Sequence, residues 1–219
     1  MFNKILINKG RNKFYLSCGK RMFDLALAIP AIIVLMPLLI LIALLVRFIL
    51  GSPVFFKQMR PGLYGKPFTI FKFRTMTDMC DKDGKMLPDD ERLTRLGAFL
   101  RKTSIDELPE LFNVLKGDMS IVGPRPLFMD YLPYYTRRER LRHTVRPGIT
   151  GLAQVNGRNY LPWDERLEMD VQYVEKMSFS LDVKIIFHTF SQVLKAKNVA
   201  VLPTLIGVPL SEYRKQKKK

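Results

Sequence analysis

The chain has 219 residues, enough for one sizeable core or for one domain plus a membrane element. Its 36 Lys and Arg against 20 acidic residues leave a formal charge of +16, which points to a polyanionic partner: nucleic acid, a phosphorylated substrate or anionic lipid. Only Cys18 and Cys80 are present, far apart and in no metal-ligand spacing, so the reading is free thiols in a reducing compartment and not a disulfide framework or zinc site.

Residues 1–21 carry Lys4, Lys9, Arg11, Lys13, Lys20 and Arg21 with no acid. From Leu25 to Val46 there is no charged residue, a run long enough to cross a bilayer core of about 30 Å as a helix. It is too long for a cleaved signal peptide and no small-residue cleavage site follows it. Both flanks are basic, with Arg47, Lys57, Arg60, Lys66, Lys72 and Arg74 beyond the run, and both therefore prefer the cytoplasmic side. A straight span cannot satisfy both. Pro30 and Pro37 each remove a backbone hydrogen bond, and a break at the more central Pro37 favours a helix that enters the membrane and returns to the same face. Asp24, just inside the basic edge, is expected to pair with a neighbouring Lys or Arg.

Gly51-Ser52-Pro53 ends the run, and Arg60-Pro61-Gly62 has the order of a type II turn. Phe68 to Met76 alternates as a strand, Phe71 and Phe73 on a core face and Lys72 and Arg74 on a face open either to phosphate or to solvent. Asp78, Asp81, Asp83 and Gly84 resemble a calcium loop. Met79 at the first ligand position and the missing closing glutamate reject that site and leave an exposed acidic loop. Arg92 to Lys102 reads as a short basic helix with Leu93, Leu96 and Leu100 inward.

Ser104 to Leu127 holds the best candidate chemistry. Leu108, Leu111, Phe112 and Leu115 form one helical face, with Pro109 in the first turn and Gly117 suited to end it. Asp106 and Glu107 then sit at the helix start, where a phosphate could be bridged to them by a divalent cation. Ser104-x-x-Glu107 is equally a capping box, and on spacing alone the cap is the favoured reading. Gly123-Pro124-Arg125-Pro126 mounts a guanidinium stiffly between prolines.

Beyond, Arg137, Arg138, Arg140, Arg142 and Arg146 follow Tyr131, Tyr134 and Tyr135, a pattern suited to nucleic acid or, better given the apolar run, to a membrane interface. His143 reads as a packing or surface residue. Arg146 to Arg158 has a loop composition suited to ligand contact. Trp163 to Met177 reads as an amphipathic helix through Leu167, Val171 and Val174. Ser180 is expected to cap another, with Asp182 in its first turn and Ile185, Ile186, Phe190 and Val193 on its apolar face. Arg214 to Lys219 reads as a disordered basic tail.

In order along the chain stand Lys20-Arg-Met-Phe-Asp24, Gln58-Met-Arg-Pro-Gly62, Phe71-Lys-Phe-Arg-Thr-Met76, Asp106-Glu-Leu108, Leu111-Phe-Asn-Val-Leu-Lys-Gly-Asp-Met-Ser120, Val122-Gly-Pro-Arg-Pro-Leu127, Val145-Arg-Pro-Gly-Ile-Thr-Gly151 and Gln154-Val-Asn-Gly-Arg158. With these motifs, from about Lys20 to about Lys195, the chain resembles the bacterial sugar transferases, the small monotopic phosphoglycosyl transferases. The resemblance reverses the preference for a simple cap. It implies an enzyme that moves a sugar 1-phosphate from a UDP-sugar to a polyprenyl (undecaprenyl) phosphate and releases UMP, the first membrane step of glycoconjugate assembly. By the same resemblance Asp106 is the nucleophile that forms a phosphosugar intermediate, Glu107 holds Mg²⁺, and Arg125, with Lys72 and Arg101, binds substrate phosphate. It also implies a re-entrant helix kinked at a Ser-Pro; here Pro37 matches, but Met36 replaces the serine and cannot satisfy a freed carbonyl.

The expected fold is α+β and largely helical, monotopic, with a Pro-broken re-entrant helix and interfacial amphipathic helices. Its divisions are a basic arm at 1–19, the membrane helix at 20–50, a cytoplasmic catalytic domain at 51–198 and a basic tail at 199–219. The expected location is the cytoplasmic face of a bacterial inner membrane, on anionic phospholipid and without nucleic acid; a second copy of the chain or downstream glycosyltransferases are the further partners it admits. A membrane nucleotide-sugar hydrolase or phosphatase using the same acids, and a membrane-tethered nucleic-acid-binding protein, are the alternatives; neither accounts for the ordered motifs.

Overall fold

In the computed structural model, which describes residues 14–157, 161–194 and 208–217, the apolar run is helix α1 (Lys20–Ile49), entered through a π-helical turn at Tyr15–Gly19. One stripe of α1 is buried: Asp24, Ala28, Ile32, Leu39, Ile42 and Val46, at the three- and four-residue steps of a helix. The opposite surface is apolar and bare, with Val34 74% and Phe48 83% exposed. An apolar face of that extent is compatible with membrane association and out of place in water. The interruption expected at Pro37 is not found; α1 runs as one helix with Pro30 and Pro37 inside it. Each proline removes a single backbone bond, which can bend a helix without ending it.

Strands β1 (Phe55–Pro61) and β2 (Pro67–Phe73) form an antiparallel hairpin registered from Phe55↔Phe73 to Pro61↔Pro67. The alternation in β2 differs in part from expectation. Phe73 is buried as expected, but Phe71 on the same face lies half-buried between Lys57 and Lys116, while Phe68 and Ile70 are buried on the other face and Lys72 continues that face inward. Arg74 is spent on the carbonyls of Leu50, Ser52 and Met76 and on Asp78. The acidic stretch that follows is exposed, with Asp81 Oδ1 accepting from the Asp83 and Lys85 amides in a plain turn. Two helices come next, α2 (Asp89–Arg92) and α3 (Arg95–Thr103), the second capped by Thr94, whose Oγ1 accepts from Gly97 N at 3.0 Å, and packed through Leu100.

A 3₁₀ turn at Ile105–Glu107 leads to α4 (Glu110–Lys116), with Pro109 at its start and Gly117 ending it at φ 88°. β3 (Ser120–Val122) pairs in parallel with β4 (Gly148–Thr150). The backbones beside this pair approach so closely that a Cβ on Gly148 would lie 2.1 Å from the Gly123 nitrogen, which is why glycine stands at both places. The short α5 (Leu152–Val155) follows, so much of the loop composition of 146–157 serves this packing; Arg158 lies outside the described residues. α6 (Trp163–Lys176) buries Leu167, Val171 and Val174 as expected. α7 (Phe179–Leu194) is capped by Ser178, whose Oγ accepts from Leu181 N, in place of Ser180. It buries Ile185 but leaves Phe179, Phe187 and Phe190 bare, so Phe190 is not a core residue.

The tail is partly ordered. α8 (Leu210–Gln216) buries Leu210 near Trp163 and pairs Arg214 with Glu139 and Asp164. The boundary at 198/199 falls outside the described residues, as do residues 1–13 of the arm.

α1 is attached at both ends. At its start Lys20 Nζ lies 3.2 Å from Asp24 and 2.7 Å from the fully buried Asp182, which also accepts from Tyr15 and Tyr173. Asp24 in turn accepts from Ser120 Oγ and Ile121 N, and Arg21 donates to the Val114 and Leu115 carbonyls that end α4. Towards its other end Leu39, Ile42 and Val46 pack with Phe73 and Leu100.

The expected aromatic–arginine patch is exposed at Arg137, Arg138 and Arg140, but part of it is internal or neutralised by ion pairs. Arg142 is buried and paired with Asp170 at 2.7 Å, Arg138 with Glu168 and Glu175, Arg146 donates to the Gly117 carbonyl, and Tyr135 is buried. Their carboxylate partners lie about eight helical turns or more away in sequence, so the acid-poor local stretch concealed the neutralisation.

Candidate active site

Three elements converge on the acid pair. α4 is tied to β2 by Asn113, fully buried, whose Nδ2 donates to the Thr69 carbonyl at 2.7 Å and whose Oδ1 accepts from Phe71 N at 3.1 Å. One amide side chain thus supplies the donor and acceptor that a neighbouring strand would. This fixes β2 next to α4 and sends Lys72 towards the acids. α3 comes as close to the other end of β2: a Cβ on Gly97 would be 1.9 Å from the Thr75 carbonyl oxygen, and Arg101 Nε donates to Thr75 Oγ1 at 3.0 Å. Ser104, at φ 58°, turns the chain from α3 into the 3₁₀ turn and makes no side-chain cap, so the capping-box reading fails.

The two acids are held differently. Glu107 receives both arms of the Arg125 guanidinium, Nη2 on Oε1 and Nη1 on Oε2 at 3.3 Å, and Lys72 Nζ on Oε1 at 2.6 Å. Burial alone would raise its carboxyl, but Arg125 and Lys72 overcome that and hold it well below the usual carboxylate range. Asp106 is buried, and among the described residues its carboxylate accepts no hydrogen bond. Burial and the neighbouring Glu107 charge push it up to about 6, against the opposing pull of Lys72, Arg101 and Arg125. The five residues expected at the site are therefore brought together.

Glu110 is a further member that the sequence did not single out. It is almost fully buried, with Oε1 3.3 Å from Lys72 Nζ but not aligned for a hydrogen bond; burial drives it up to about 7, opposed by Lys72. Lys72 itself is pulled down by burial and more than restored by Glu107 and Glu110. The Arg125 loop is fastened from behind, since Arg142 Nη2 donates to the Arg125 carbonyl at 2.7 Å while paired with Asp170. His143, beside it, is driven down to about 3 by burial and by Arg142 and Arg140, so it is a neutral packing residue. Asn113 and Glu110 could have been flagged as polar residues on the buried side of an otherwise apolar short helix.

A divalent cation needs hard oxygen donors, and Mg²⁺ commonly takes only one or two carboxylates plus substrate phosphate. No group of three potential ligands exists among the described residues. Glu107 has the right donor chemistry, though both oxygens are engaged by cations; incoming phosphate would compete for those cations and release them. The residues therefore fit a metal shared with substrate and not one caged by protein alone.

A model of the bacterial sugar transferase family matches residues 15–196. The uncharacterized sugar transferase EpsL of Bacillus subtilis is 56% identical over 180 residues, 82% of this chain and 89% of that protein. The UDP-glucose:undecaprenyl-phosphate glucose-1-phosphate transferase of Klebsiella pneumoniae is 43% identical over 78% of this chain, which corresponds to 39% of that longer protein. The exopolysaccharide production protein ExoY of Sinorhizobium fredii is 39% identical over 80% of this chain and 85% of its own length. A match over that span, with the acid pair and its cations assembled in one place, leaves one conclusion: the chain is an enzyme of the bacterial sugar transferase family.

Proposed function

We infer that this enzyme transfers a sugar 1-phosphate from a UDP-sugar to polyprenyl phosphate at the cytoplasmic face of a bacterial inner membrane, in polysaccharide synthesis. The relatives' names support the reaction class. The observation that carries the mechanism is the contrast between Asp106, buried and unengaged, and Glu107, clamped by Arg125 and Lys72. An unengaged carboxylate keeps its lone pairs for attack. An Asp106 oxygen attacks the sugar-bearing phosphorus; the bond from that phosphorus to the bridging oxygen breaks, and UMP leaves with the electron pair. A phosphate oxygen of the lipid then attacks the same phosphorus and returns Asp106 as a carboxylate, leaving a polyprenyl diphosphate sugar. Two steps let a soluble and a lipid substrate use one site in turn. Lys72, Arg101 and Arg125 face the charge on the transferred phosphoryl group. Mg²⁺, held by Glu107, would supply neutralisation of the diphosphate.

Packing of α1 against one domain from its start to Val46 supports a helix held on one side of the bilayer, because a spanning helix would carry one of those attachments to the opposite face. Quenched incubation with UDP-sugar and Mg²⁺ but no acceptor should yield a phosphosugar adduct on Asp106 by mass spectrometry, absent in Asp106→Asn. Adduct on the Asn variant, or none on the wild type, refutes the mechanism.

A further inference from the structure

The β1–β2 hairpin has a second face, turned away from the acids, and a cavity of about 390 Å³ opens on it. Phe55, Lys57 and Met59 of β1 share that face with Thr69, Phe71 and Phe73 of β2 through the register Phe55↔Phe73, Lys57↔Phe71 and Met59↔Thr69. The floor of the cavity is the Phe71 ring and the strand before it, and its charged walls are Lys57, Lys116 and Asp118. Lys57 Nζ lies 6.0 Å and Lys116 Nζ 4.6 Å from the centroid of that one ring, so a shared floor brings both ammoniums to one spot. Among the described residues neither lysine forms an ion pair, and the Asp118 carboxylate accepts no hydrogen bond.

The cavity stands beside the start of the apolar helix. Arg21, four residues ahead of the uncharged run that begins at Leu25, donates to the carbonyls of Val114 and Leu115, the two residues before Lys116. A Cβ on Gly117 would lie 3.6 Å from the same guanidinium. Lys116 is therefore level with the step from charged to apolar sequence in α1, the depth at which lipid phosphates lie. On the other strand Lys57 is flanked by Phe55, 39% exposed, and Met59, 51% exposed. A cation set between bare apolar side chains suits a surface that meets headgroups and the tops of acyl chains together.

Charge selects the ligand. Two lysines against one aspartate leave a single positive charge in the walls, which balances one phosphodiester and falls short of a nucleotide diphosphate. We propose that this cavity holds the headgroup of an anionic phospholipid of the phosphatidylglycerol type. Lys57 and Lys116 donate to the phosphate oxygens, Asp118 accepts from the headgroup hydroxyls, and the glyceride end lies on Phe71. The site is on the opposite face of β2 from Lys72 and is separate from the acid pair. It rests on the membrane association of α1 and is independent of the chemistry at Asp106.

The test is titration of the detergent-solubilised full chain with dioctanoyl-phosphatidylglycerol, read as retained lipid by native mass spectrometry. The variants are Lys57→Gln, Lys116→Gln, the two together and, as a control on the exposed acidic turn, Lys85→Gln. Both cavity lysines are exposed, so far-UV circular dichroism should match wild type throughout. Each single variant should bind the lipid about fivefold more weakly and the double variant about twenty-fivefold, with Lys85→Gln unchanged. Dioctanoyl-phosphatidylcholine, which carries no net charge and no headgroup hydroxyl, should be retained less than phosphatidylglycerol. Equal retention of phosphatidylglycerol by wild type and double variant overturns the site, as does its displacement by inorganic phosphate, which would make this a site for free anion. Flotation with phosphatidylcholine vesicles should be the same for wild type and double variant, because α1 supplies that anchorage. A wild type that floats yet retains no phosphatidylglycerol removes the site and leaves membrane association standing.

Discussion

Asn113→Leu isolates the joint on which the site hangs. The substitution keeps the branched four-heavy-atom shape while deleting the donor to the Thr69 carbonyl and the acceptor for Phe71 N. Asn113 is 0% exposed, so water cannot replace either bond without opening the contact between α4 and β2. A buried backbone group left unsatisfied costs about 1–3 kcal/mol, so two cost about 2–6 kcal/mol, offset in part by the gain of an apolar side chain. Taking about 3 kcal/mol, and about 2–4 °C per kcal/mol for a chain of this size, Tm falls by about 6–12 °C. Activity should fall further than stability explains, because Lys72 follows Phe71 directly and loses its aim at Glu107. The assay is a thermal scan in lipid nanodiscs paired with UMP release at a temperature where the variant remains folded. A Tm within about 2 °C of wild type together with unaltered kcat would show that Asn113 neither fastens β2 nor positions Lys72.

Glu107→Gln leaves Arg125 and Lys72 without their main partner, and the Mg²⁺ concentration for half-maximal activity should rise sharply; an unchanged metal requirement places the ion elsewhere. Attack needs ionised Asp106, whose carboxyl is raised to about 6, so single-turnover UMP release should be flat above that pH and fall about tenfold per pH unit below it. A rate independent of pH down to 5 contradicts that assignment. Cys18, exposed just before α1, and a cysteine at Ser52 just beyond it, each with the other native thiols changed to serine, should react with an impermeant maleimide from the same side of sealed vesicles. Pro37→Leu should shift part of the population to opposite-side labelling; opposite-side labelling of the wild type refutes re-entry.

Residues whose neighbours are local were readable in the sequence, and those whose partners are distant were not. Pro109 and Gly117 bounded α4 because each acts on its own backbone, and the prolines around Arg125 marked its mount for the same reason. The arginines at 138 and 142 looked like an unpaired patch because local charge can be counted along a chain, whereas Glu168, Asp170 and Glu175 return to them only after α6 folds back. Lys72 was assigned to an open face since alternation tells two faces apart but not which one packs. Here α4 covers the face bearing Lys72, and Asn113 is what brings it there. Ser104-x-x-Glu107 had the letters of a capping box, but Ser104 adopts a left-handed turn and Glu107 finds stronger partners in two cations. The acid pair is thus named by motif and differentiated only by tertiary contacts. Adjacent carboxylates of nearly equal intrinsic acidity part company because Arg125 and Lys72 converge on one of them. The separation of roles therefore depends on α4, β2 and the Arg125 loop arriving together, and a change that loosens any one of these joints should make the two acids more alike before it unfolds the domain.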